Sequence, residues 1–243
     1  MAHARPVPRP RNDPAQYDDL QEEWWRPGGA FVALHWLAAA RAQLVPPPAR
    51  AGAVLLDVAC GGGLLAPHVA GLGYRHVGVD LGAGAVRVAR DHGVEPARGD
   101  ATRLPVASGA VDVVVAGEIF EHLADLEGAL AEIARVLRPG GTLVCDTLAD
   151  TWRCRLLLVT LAERLPIVPA GIHDPALFVD PGRLRRTCAA HGITLEVRGL
   201  RPSIPEALAW AVGRRDAVTM RPTRSTRVVY QGIGVKAAAW TTR

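Results

Sequence analysis

Three side chains near the middle of the chain, Glu118, Glu121 and His122, have types and spacing that suit acid–base or metal chemistry. They stand at i, i+3 and i+4, so an α-helix would carry all three on one face. Two carboxylates and an imidazole suit a hard divalent cation with open positions, and such an ion lowers the pKa of a bound hydroxyl group. Without a metal, His122 and Glu118 could act as catalytic acid–base residues themselves. The alternative is that the acids stabilise a helix N-terminus and His122 only packs.

A glycine-rich turn, residues 57–63 (DVACGGG), lies further towards the N-terminus. Gly61-x-Gly63-x-x-Ala satisfies the dinucleotide-binding pattern, and Asp80 follows at the distance of an acid that binds ribose hydroxyls. Two ligand classes fit such a loop, a nicotinamide dinucleotide and S-adenosylmethionine. Asp57 favours the second, because a carboxylate at this place repels a pyrophosphate and attracts an ammonium and a sulfonium group.

The elements that must position these residues are short apolar runs alternating with helical segments between residues 54 and 146. This alternation predicts βαβ units on a parallel sheet, and near-continuous Val/Leu runs indicate strands buried on both faces. Ligands of such sheets bind beyond the carboxyl ends of the strands. The runs end at Asp57, Asp80, Asp100 and Gly117-Glu118. Asp100, followed by Ala101, is placed to accept a hydrogen bond from an adenine amino group.

Composition narrows the class of protein further. The chain has 243 residues, of which 49% are hydrophobic and 21% charged, as in globular proteins, and it contains no apolar run of transmembrane length. The N-terminus lacks the apolar core of a secretory signal, and the four cysteines show no metal-ligand spacing, so we expect a cytoplasmic protein with reduced thiols. The net charge of +4 comes from arginines scattered along the chain, which does not favour a nucleic-acid partner.

The chain resembles the class I S-adenosylmethionine-dependent methyltransferases and, more narrowly, the ubiquinone-biosynthesis O-methyltransferase family. The similarity covers most of the chain. The matching stretches are Tyr17…Trp24-Trp25, Leu34-His35…Arg41, LLDVACGGGLLA (55–66), Glu118…Glu121-His122, Arg138-Pro139-Gly140-Gly141 and Pro169-Ala170-Gly171-Ile172-His173-Asp174…Phe178. Two features depart from the family pattern: Ala59 stands where glycine is usual, and residues 196–227 match poorly.

The resemblance implies contacts with S-adenosylmethionine at Arg41, Ala59, Asp80 and Gly117. The physical interpretation of Arg41 is a guanidinium that reaches the carboxylate of the methionine moiety. Together with the strand-end residues, the predicted cofactor-binding set is Arg41, Asp57, Ala59, Gly61, Gly63, Asp80, Asp100, Ala101 and Gly117. The resemblance also implies Mg²⁺ at Glu118, Glu121 and His122.

The fold class predicted is α/β, a doubly wound, mostly parallel seven-stranded sheet of the Rossmann-like methyltransferase type. A disordered tail (1–12) precedes a single domain (13–243), divided into an N-terminal helical cap (13–48), a cofactor-binding core (49–150), a lid or substrate insertion (151–190) and C-terminal strands (191–243). Within the insertion, residues 152–165 combine apolar and arginine side chains. This pattern fits either a helix lying on an anionic membrane or a lid packed over the site.

The function predicted is an O-methyltransferase that uses S-adenosylmethionine and acts on a phenolic, catechol or quinol-like acceptor. A prenylated quinone precursor and an aromatic natural product both fit this description. The alternatives are a nicotinamide-dependent oxidoreductase and a non-catalytic protein that binds adenosyl ligands. Expected partners are the small aromatic acceptor and, peripherally, an anionic membrane. The oligomeric state stays open.

Overall fold

A computed structural model describes residues 9–164 and 168–238. The greater part of the predicted tail (1–8), three residues of the predicted insertion (165–167) and the last five residues of the chain (239–243) lie outside the described residues. All of the residues predicted to bind the cofactor or to act in catalysis fall within the described part.

The centre of the fold is a parallel sheet built from the alternating runs of residues 54–146. Its strands are β1 (Val54–Val58), β2 (Arg75–Asp80), β3 (Glu95–Arg98), β4 (Val111–Gly117) and β5 (Leu137–Leu148). The intervening helices are α3 (Ala66–Val69), α4 (Ala83–Asp91) and α5 (Leu126–Val136). β1 pairs in parallel with both β2 and β4, so the strand order reverses direction at β1. This is the point at which ligands bind in doubly wound folds.

The C-terminal strands extend the sheet in an antiparallel manner, giving the order β3-β2-β1-β4-β5-β8-β6-β7. They are β6 (Ile193–Pro202), β7 (Met220–Thr223) and β8 (Val229–Lys236), with helices α7 (Pro181–Ala190) and α8 (Ile204–Ala211). The predicted fold class is confirmed, but the sheet has eight strands rather than seven. The additional strand is β7, a four-residue edge strand in the segment 196–227 that departs from the family pattern.

Both faces of the sheet are covered, as the Val/Leu-rich runs predict. On one face Leu130 and Ile133 of α5 pack against Val114 and Leu143. The opposite face holds a second apolar cluster that includes residues 55, 65, 113 and 144. Because the strands are held from both sides, their carboxyl ends form one rigid edge on which polar side chains can be placed.

The N-terminal cap contains α1 (Ala15–Asp19), a 3₁₀ turn (Gln21–Glu23) and α2 (Val32–Ala42). Trp24 and Phe31 stack with their ring centroids 4.4 Å apart and anchor the cap in a buried cluster. Residues 9–12, which are predicted to belong to the tail, make defined contacts: the Asn12 backbone N–H donates to the carbonyl of Gly171, 3.0 Å away. The polar side chains of this segment, not its apolar content, hold it in place.

The insertion after β5 is helical, with α6 (Trp152–Cys154), a π-helix (Arg155–Leu161) and a 3₁₀ turn (Ala162–Arg164). One side of it packs against Leu148 and Phe178 through Leu158. The other side leaves Leu156 and Leu161 exposed. Among the described residues, no helix combines the length and the apolar character needed to cross a membrane.

Candidate active site

A cavity of about 860 Å³ opens at the carboxyl ends of the central strands. Ten of the residues predicted to form the site line it: Arg41, Asp57, Ala59, Gly61, Asp80, Asp100, Ala101, Gly117, Glu118 and His122. Gly63 and Glu121 do not line the cavity. Most of the residues predicted from the strand ends therefore lie around one cavity.

The glycine turn is tied to the end of β2 by Asp80. The carboxylate accepts hydrogen bonds from the backbone N–H groups of Gly61 and Gly82, each at 2.8 Å. Burial raises the pKa of Asp80, while these two donors oppose the shift. Gly63 has φ +78° and lets the turn approach Ala89 of α4, so its role is close packing of loop and helix.

Two tryptophans of the cap pack on the glycine turn. A Cβ atom at Gly61 would lie 2.5 Å from the Trp24 ring, so the absence of a side chain there is required by the indole. Trp25 donates from Nε1 to the carbonyl of Gly62 at 2.8 Å and stacks on His92. The cap therefore covers the turn directly. Ala59, which lies in this turn before the three glycines, has φ +56°. This left-handed conformation explains why glycine is the usual residue at this position.

A buried ion pair forms the floor of the cavity. Arg41 donates from Nε to Oδ2 and from Nη2 to Oδ1 of Asp146, both at 2.8 Å. A Cβ atom at Gly117 would overlap the guanidinium, so only glycine fits beneath it. Oδ1 of Asp146 also accepts the backbone N–H of Glu118 at 3.0 Å. With Nε and Nη2 occupied, Nη1 is the part of Arg41 left to bind a carboxylate.

Two further carboxylates stand at the rim. Asp57 is buried, with Oδ2 lying 3.6 Å from Nε2 of His76. Asp100 accepts from the backbone N–H and the hydroxyl of Thr102 through a single oxygen, at 2.7 and 2.8 Å. The backbone bond is the largest cause of a lowered pKa at Asp100. Its second oxygen stays available to a donor such as an adenine amino group.

The predicted metal set does not form. Glu118 lies outside the short 3₁₀ helix Phe120–His122 with φ +50°, so the three side chains do not share a helical face. Glu121 is fully buried and accepts from the Thr147 hydroxyl at 2.6 Å. Both ring nitrogens of His122 are engaged by protein groups. Within residues 9–164 and 168–238, no group of three His, Cys, Asp or Glu side chains is arranged to hold a metal ion.

Burial governs the protonation of this cluster. The pKa of Glu118 is raised, first by desolvation and then by the neighbouring charge of Glu121. Oε1 of each glutamate has no hydrogen-bond partner among the described residues. Burial, with a smaller contribution from His173, lowers the pKa of His122 to about 3. The imidazole is therefore neutral at physiological pH, and one ring nitrogen carries a lone pair.

Sequence reasoning did not identify Asn12 or Asp146 as part of the site. Nδ1 of His122 lies 2.5 Å from Oδ1 of Asn12, and Nε2 lies 3.1 Å from the Tyr17 hydroxyl. Asp146 had a usable signal, since it is an acid near the end of a buried strand. Asn12 had none, because its partner stands 110 residues away in the chain.

Comparison with known proteins shows which proteins the chain is similar to. A family model described as a methyltransferase domain matches residues 56–145. A ubiquinone biosynthesis O-methyltransferase from Thiobacillus denitrificans is 36% identical over 191 residues, covering 75% of this chain and 82% of the relative. The enzyme of the same name from Cupriavidus pinatubonensis is 34% identical over 207 residues, covering 79% and 82%.

Solved structures show the same fold. An S-adenosylmethionine-dependent methyltransferase from Thermotoga maritima superposes with a TM-score of 0.65 at 18% identity, covering 91% of this chain and 97% of its own. A phosphoethanolamine N-methyltransferase from Haemonchus contortus, in complex with S-adenosylmethionine, gives 0.60 at 16% identity and covers 91% and 60%. Fold and site thus define an S-adenosylmethionine-dependent methyltransferase. More narrowly, the chain belongs to the family of ubiquinone biosynthesis O-methyltransferases.

The floor of the cavity gives a first test. Gly117→Ala places a methyl group where the Arg41 guanidinium lies and displaces it from Asp146. We expect a stability loss of about 3–5 kcal/mol in urea unfolding, as for other broken buried ion pairs, and at least tenfold weaker S-adenosylhomocysteine binding by calorimetry. Gly71→Ala is the control, because a Cβ atom there meets open space. Equal stability of the two variants would contradict the role assigned to Gly117.

The raised pKa of Glu118 gives a second test. A group whose pKa is raised on folding contributes stability below its unfolded pKa, near 4.3, and loses that contribution as pH rises. The melting temperature of Glu118→Gln minus that of the wild type should therefore increase as the pH rises from 5 to 8. In a chain of this size 1 kcal/mol corresponds to about 2–4 °C, which calorimetry resolves.

The control for this test is a glutamate whose pKa is shifted in the opposite direction. The pKa of the exposed Glu95 is lowered, chiefly by the hydrogen bond from Arg75. Glu95→Gln should therefore lose a small amount of stability at pH 7, and this loss should vanish towards pH 4. A melting-temperature gap between Glu118→Gln and the wild type that does not change with pH would show that Glu118 is not desolvated.

Proposed function

We propose that this enzyme methylates a phenolic oxygen of an acceptor that carries an apolar group, with His122 as the base. The observation that carries the proposal is the position of the His122 imidazole on the wall of a largely apolar cavity, with Nε2 3.1 Å from the hydroxyl of Tyr17, which lines the same cavity. A neutral histidine needs no prior deprotonation to accept the phenolic proton. Catechols and quinols share this chemistry with simple phenols.

The residues of the cavity fit S-adenosylmethionine at one end. The carboxylates of Asp57 and Asp80 flank the glycine turn, where they favour a cationic ligand over the pyrophosphate of a nicotinamide cofactor. Nη1 of Arg41 is available to the ligand's carboxylate. Bound there, S-adenosylmethionine supplies an electrophilic methyl group on a sulfonium centre. These contacts disfavour the oxidoreductase alternative, and the neutral base facing the same cavity disfavours a purely binding protein.

The cavity also has an extensive apolar lining. Side chains from α2, the insertion and the C-terminal strands line it together: Leu34, Leu37, Leu157, Leu158, Leu200, Met220 and Val229. An aromatic ring with a hydrocarbon tail would remove this surface from water, at about 25 cal/mol per Å² of apolar area. This favours a prenylated quinone precursor over a small polar phenol.

In the proposed reaction the Tyr17 hydroxyl gives up its hydrogen bond to Nε2 of His122, the phenolic O–H bond breaks, and the phenolic proton passes to the freed lone pair of Nε2. The oxygen takes the methyl group with its electron pair, the C–S bond breaks, and S-adenosylhomocysteine remains. Glu118, the second predicted catalytic residue, lines the same cavity and offers a hydrogen bond to the second oxygen of a catechol. Much of the rate would come from holding oxygen and methyl carbon in line.

The test uses His122→Ala with S-adenosylmethionine and a prenylated catechol. We expect kcat to fall about 10²–10⁴-fold, the usual contribution of a general base, with S-adenosylhomocysteine affinity changed less than twofold. His191→Ala, at the end of α7, should leave both values unchanged. An unaltered kcat in His122→Ala would refute the base assignment. Loss of wild-type activity on chelation, restored by Mg²⁺, would refute it in favour of a metal.

We also propose that residues 152–164 lie on an anionic membrane surface. The exposed fractions of Trp152, Leu156 and Leu161 are 66%, 43% and 47%, large values for apolar side chains in one short segment. The arginines of the same segment suit anionic headgroups. Leu157 is also exposed and lines the cavity, so the apolar surface adjoins the route by which a lipophilic acceptor would enter.

Vesicle sedimentation tests this contact. The protein should bind vesicles of phosphatidylglycerol and phosphatidylcholine at low salt and dissociate as salt screens the arginines. A variant with both Leu156→Glu and Leu161→Glu should bind at least fivefold more weakly. The variant with both Val212→Glu and Val235→Glu is the matched control, because it adds the same two charges at side chains that are 67% and 50% exposed and lie outside residues 152–164. Equal binding by the leucine variant and this control would exclude residues 152–164 as the membrane contact.

A further inference from the structure

Asn12 makes two hydrogen bonds to a single residue of the site. Its Nδ2 donates to the backbone carbonyl of His122 at 3.0 Å, and its Oδ1 lies 2.5 Å from the Nδ1 atom of the same histidine. The two bonds hold backbone and ring of His122 together from outside the central sheet. Asn12 itself has φ +60°, so its backbone is bent to present the amide to this residue.

This double contact settles the protonation pattern of the histidine ring. A backbone carbonyl only accepts, so the amide atom facing it must be the NH₂ group. Oδ1 then faces Nδ1, and because Oδ1 only accepts, Nδ1 must carry the proton. A neutral imidazole has one N–H, so Nε2 carries the lone pair. The Tyr17 hydroxyl, 3.1 Å from Nε2, is accordingly the donor of that hydrogen bond.

We propose that Asn12 is a positioning residue that fixes His122 in the tautomer with the lone pair on Nε2. This rests on the proposed role of His122 as the base. In the other tautomer Nε2 would carry a proton, and the nitrogen assigned to receive the phenolic proton could not accept it. Asn12 acts through His122 and holds no proton of the reaction itself.

The neighbouring contacts show why the N-terminal segment can exert this constraint. Arg11 donates from Nε to the carbonyl of His173 at 2.7 Å and from Nη2 to Oε1 of Glu163 at 2.6 Å. The Asn12 N–H donates to Gly171. Residues 11 and 12 are thus bound both to the insertion and to His122. The insertion therefore holds residues 11 and 12 in place, and Asn12 in turn orients His122. Both of these segments lie outside the parallel sheet.

The experiment compares three variants of the full chain. Asn12→Gly removes the amide without strain, because glycine adopts φ +60° readily. Asn12→Asp keeps an acceptor for Nδ1–H and loses the donor to the carbonyl. Arg9→Ala is the control. It removes the exposed ion pairs of Arg9 with Asp13 and Asp19 in the same N-terminal segment and leaves the contacts of Asn12 with His122 in place. Each is measured for kcat, KM, S-adenosylhomocysteine affinity, melting temperature and the ¹⁵N resonances of His122.

We expect wild-type His122 to show a protonated Nδ1 and an unprotonated Nε2. Asn12→Gly should shift the tautomer towards Nε2–H and lower kcat about tenfold or more, with KM and S-adenosylhomocysteine affinity within twofold. Asn12→Asp should keep the Nδ1–H tautomer and most of the activity, and Arg9→Ala should match the wild type. This pattern separates a tautomer effect from a general loss of folding.

Either of two spectroscopic results would overturn the proposal: an Nε2–H tautomer in the wild type, or an unchanged tautomer in Asn12→Gly. A kcat that falls equally in Asn12→Gly and Asn12→Asp would also overturn it, because the acceptor would then be irrelevant. If Asn12→Gly shifts the tautomer but both it and His122→Ala keep full activity, the proposed base function is the part that fails. The two failures are therefore distinguishable.

Discussion

The ion pair between Arg41 and Asp146 is the interaction on which the site depends. Gly117 and Asp146 are register partners on β4 and β5, and the guanidinium from α2 lies against them. Burying two charges is costly, and the bidentate geometry offsets that cost only while both partners are present. Removing one typically costs about 3–5 kcal/mol, a large part of the 5–15 kcal/mol that holds a domain together. The cap, the floor of the cavity and the backbone of Glu118 are thus coupled through one contact.

The parallel core and its polar strand ends could be predicted from the sequence because both depend on local pattern. Runs of Val and Leu separated by helical segments fix the order of elements, and the carboxyl ends of parallel strands necessarily meet at one edge. Asp57, Asp80, Asp100 and Gly117 are therefore found without knowing the tertiary structure. The eighth strand escaped prediction because β7 has only four residues and includes Pro222, which edge strands tolerate but sequence patterns do not favour.

The arrangement of the acids and the histidine could not be predicted, for two physical reasons. Spacing of i, i+3 and i+4 implies a shared face only if every residue is helical, and the left-handed conformation of Glu118 breaks that premise without any glycine to signal it. The contact between Asn12 and His122 is non-local. It joins a proline- and arginine-rich segment, whose composition is typical of a disordered tail, to a residue 110 positions further along the chain. Hydrophobic periodicity carries no information about such polar pairings.

The charges around the cavity support the proposal that this glycine turn binds S-adenosylmethionine rather than a nicotinamide dinucleotide. Asp57, Asp80 and Glu118 bring carboxyl groups into a cavity in which the guanidinium of Arg41 is already paired with Asp146. Burial raises the pKa of Asp80 and of Glu118, so negative charge on these two groups is costly. A ligand with an ammonium and a sulfonium group relieves that cost, and a pyrophosphate adds to it. In the proposed function, the cofactor would therefore be selected by carboxyl groups that are costly to bury.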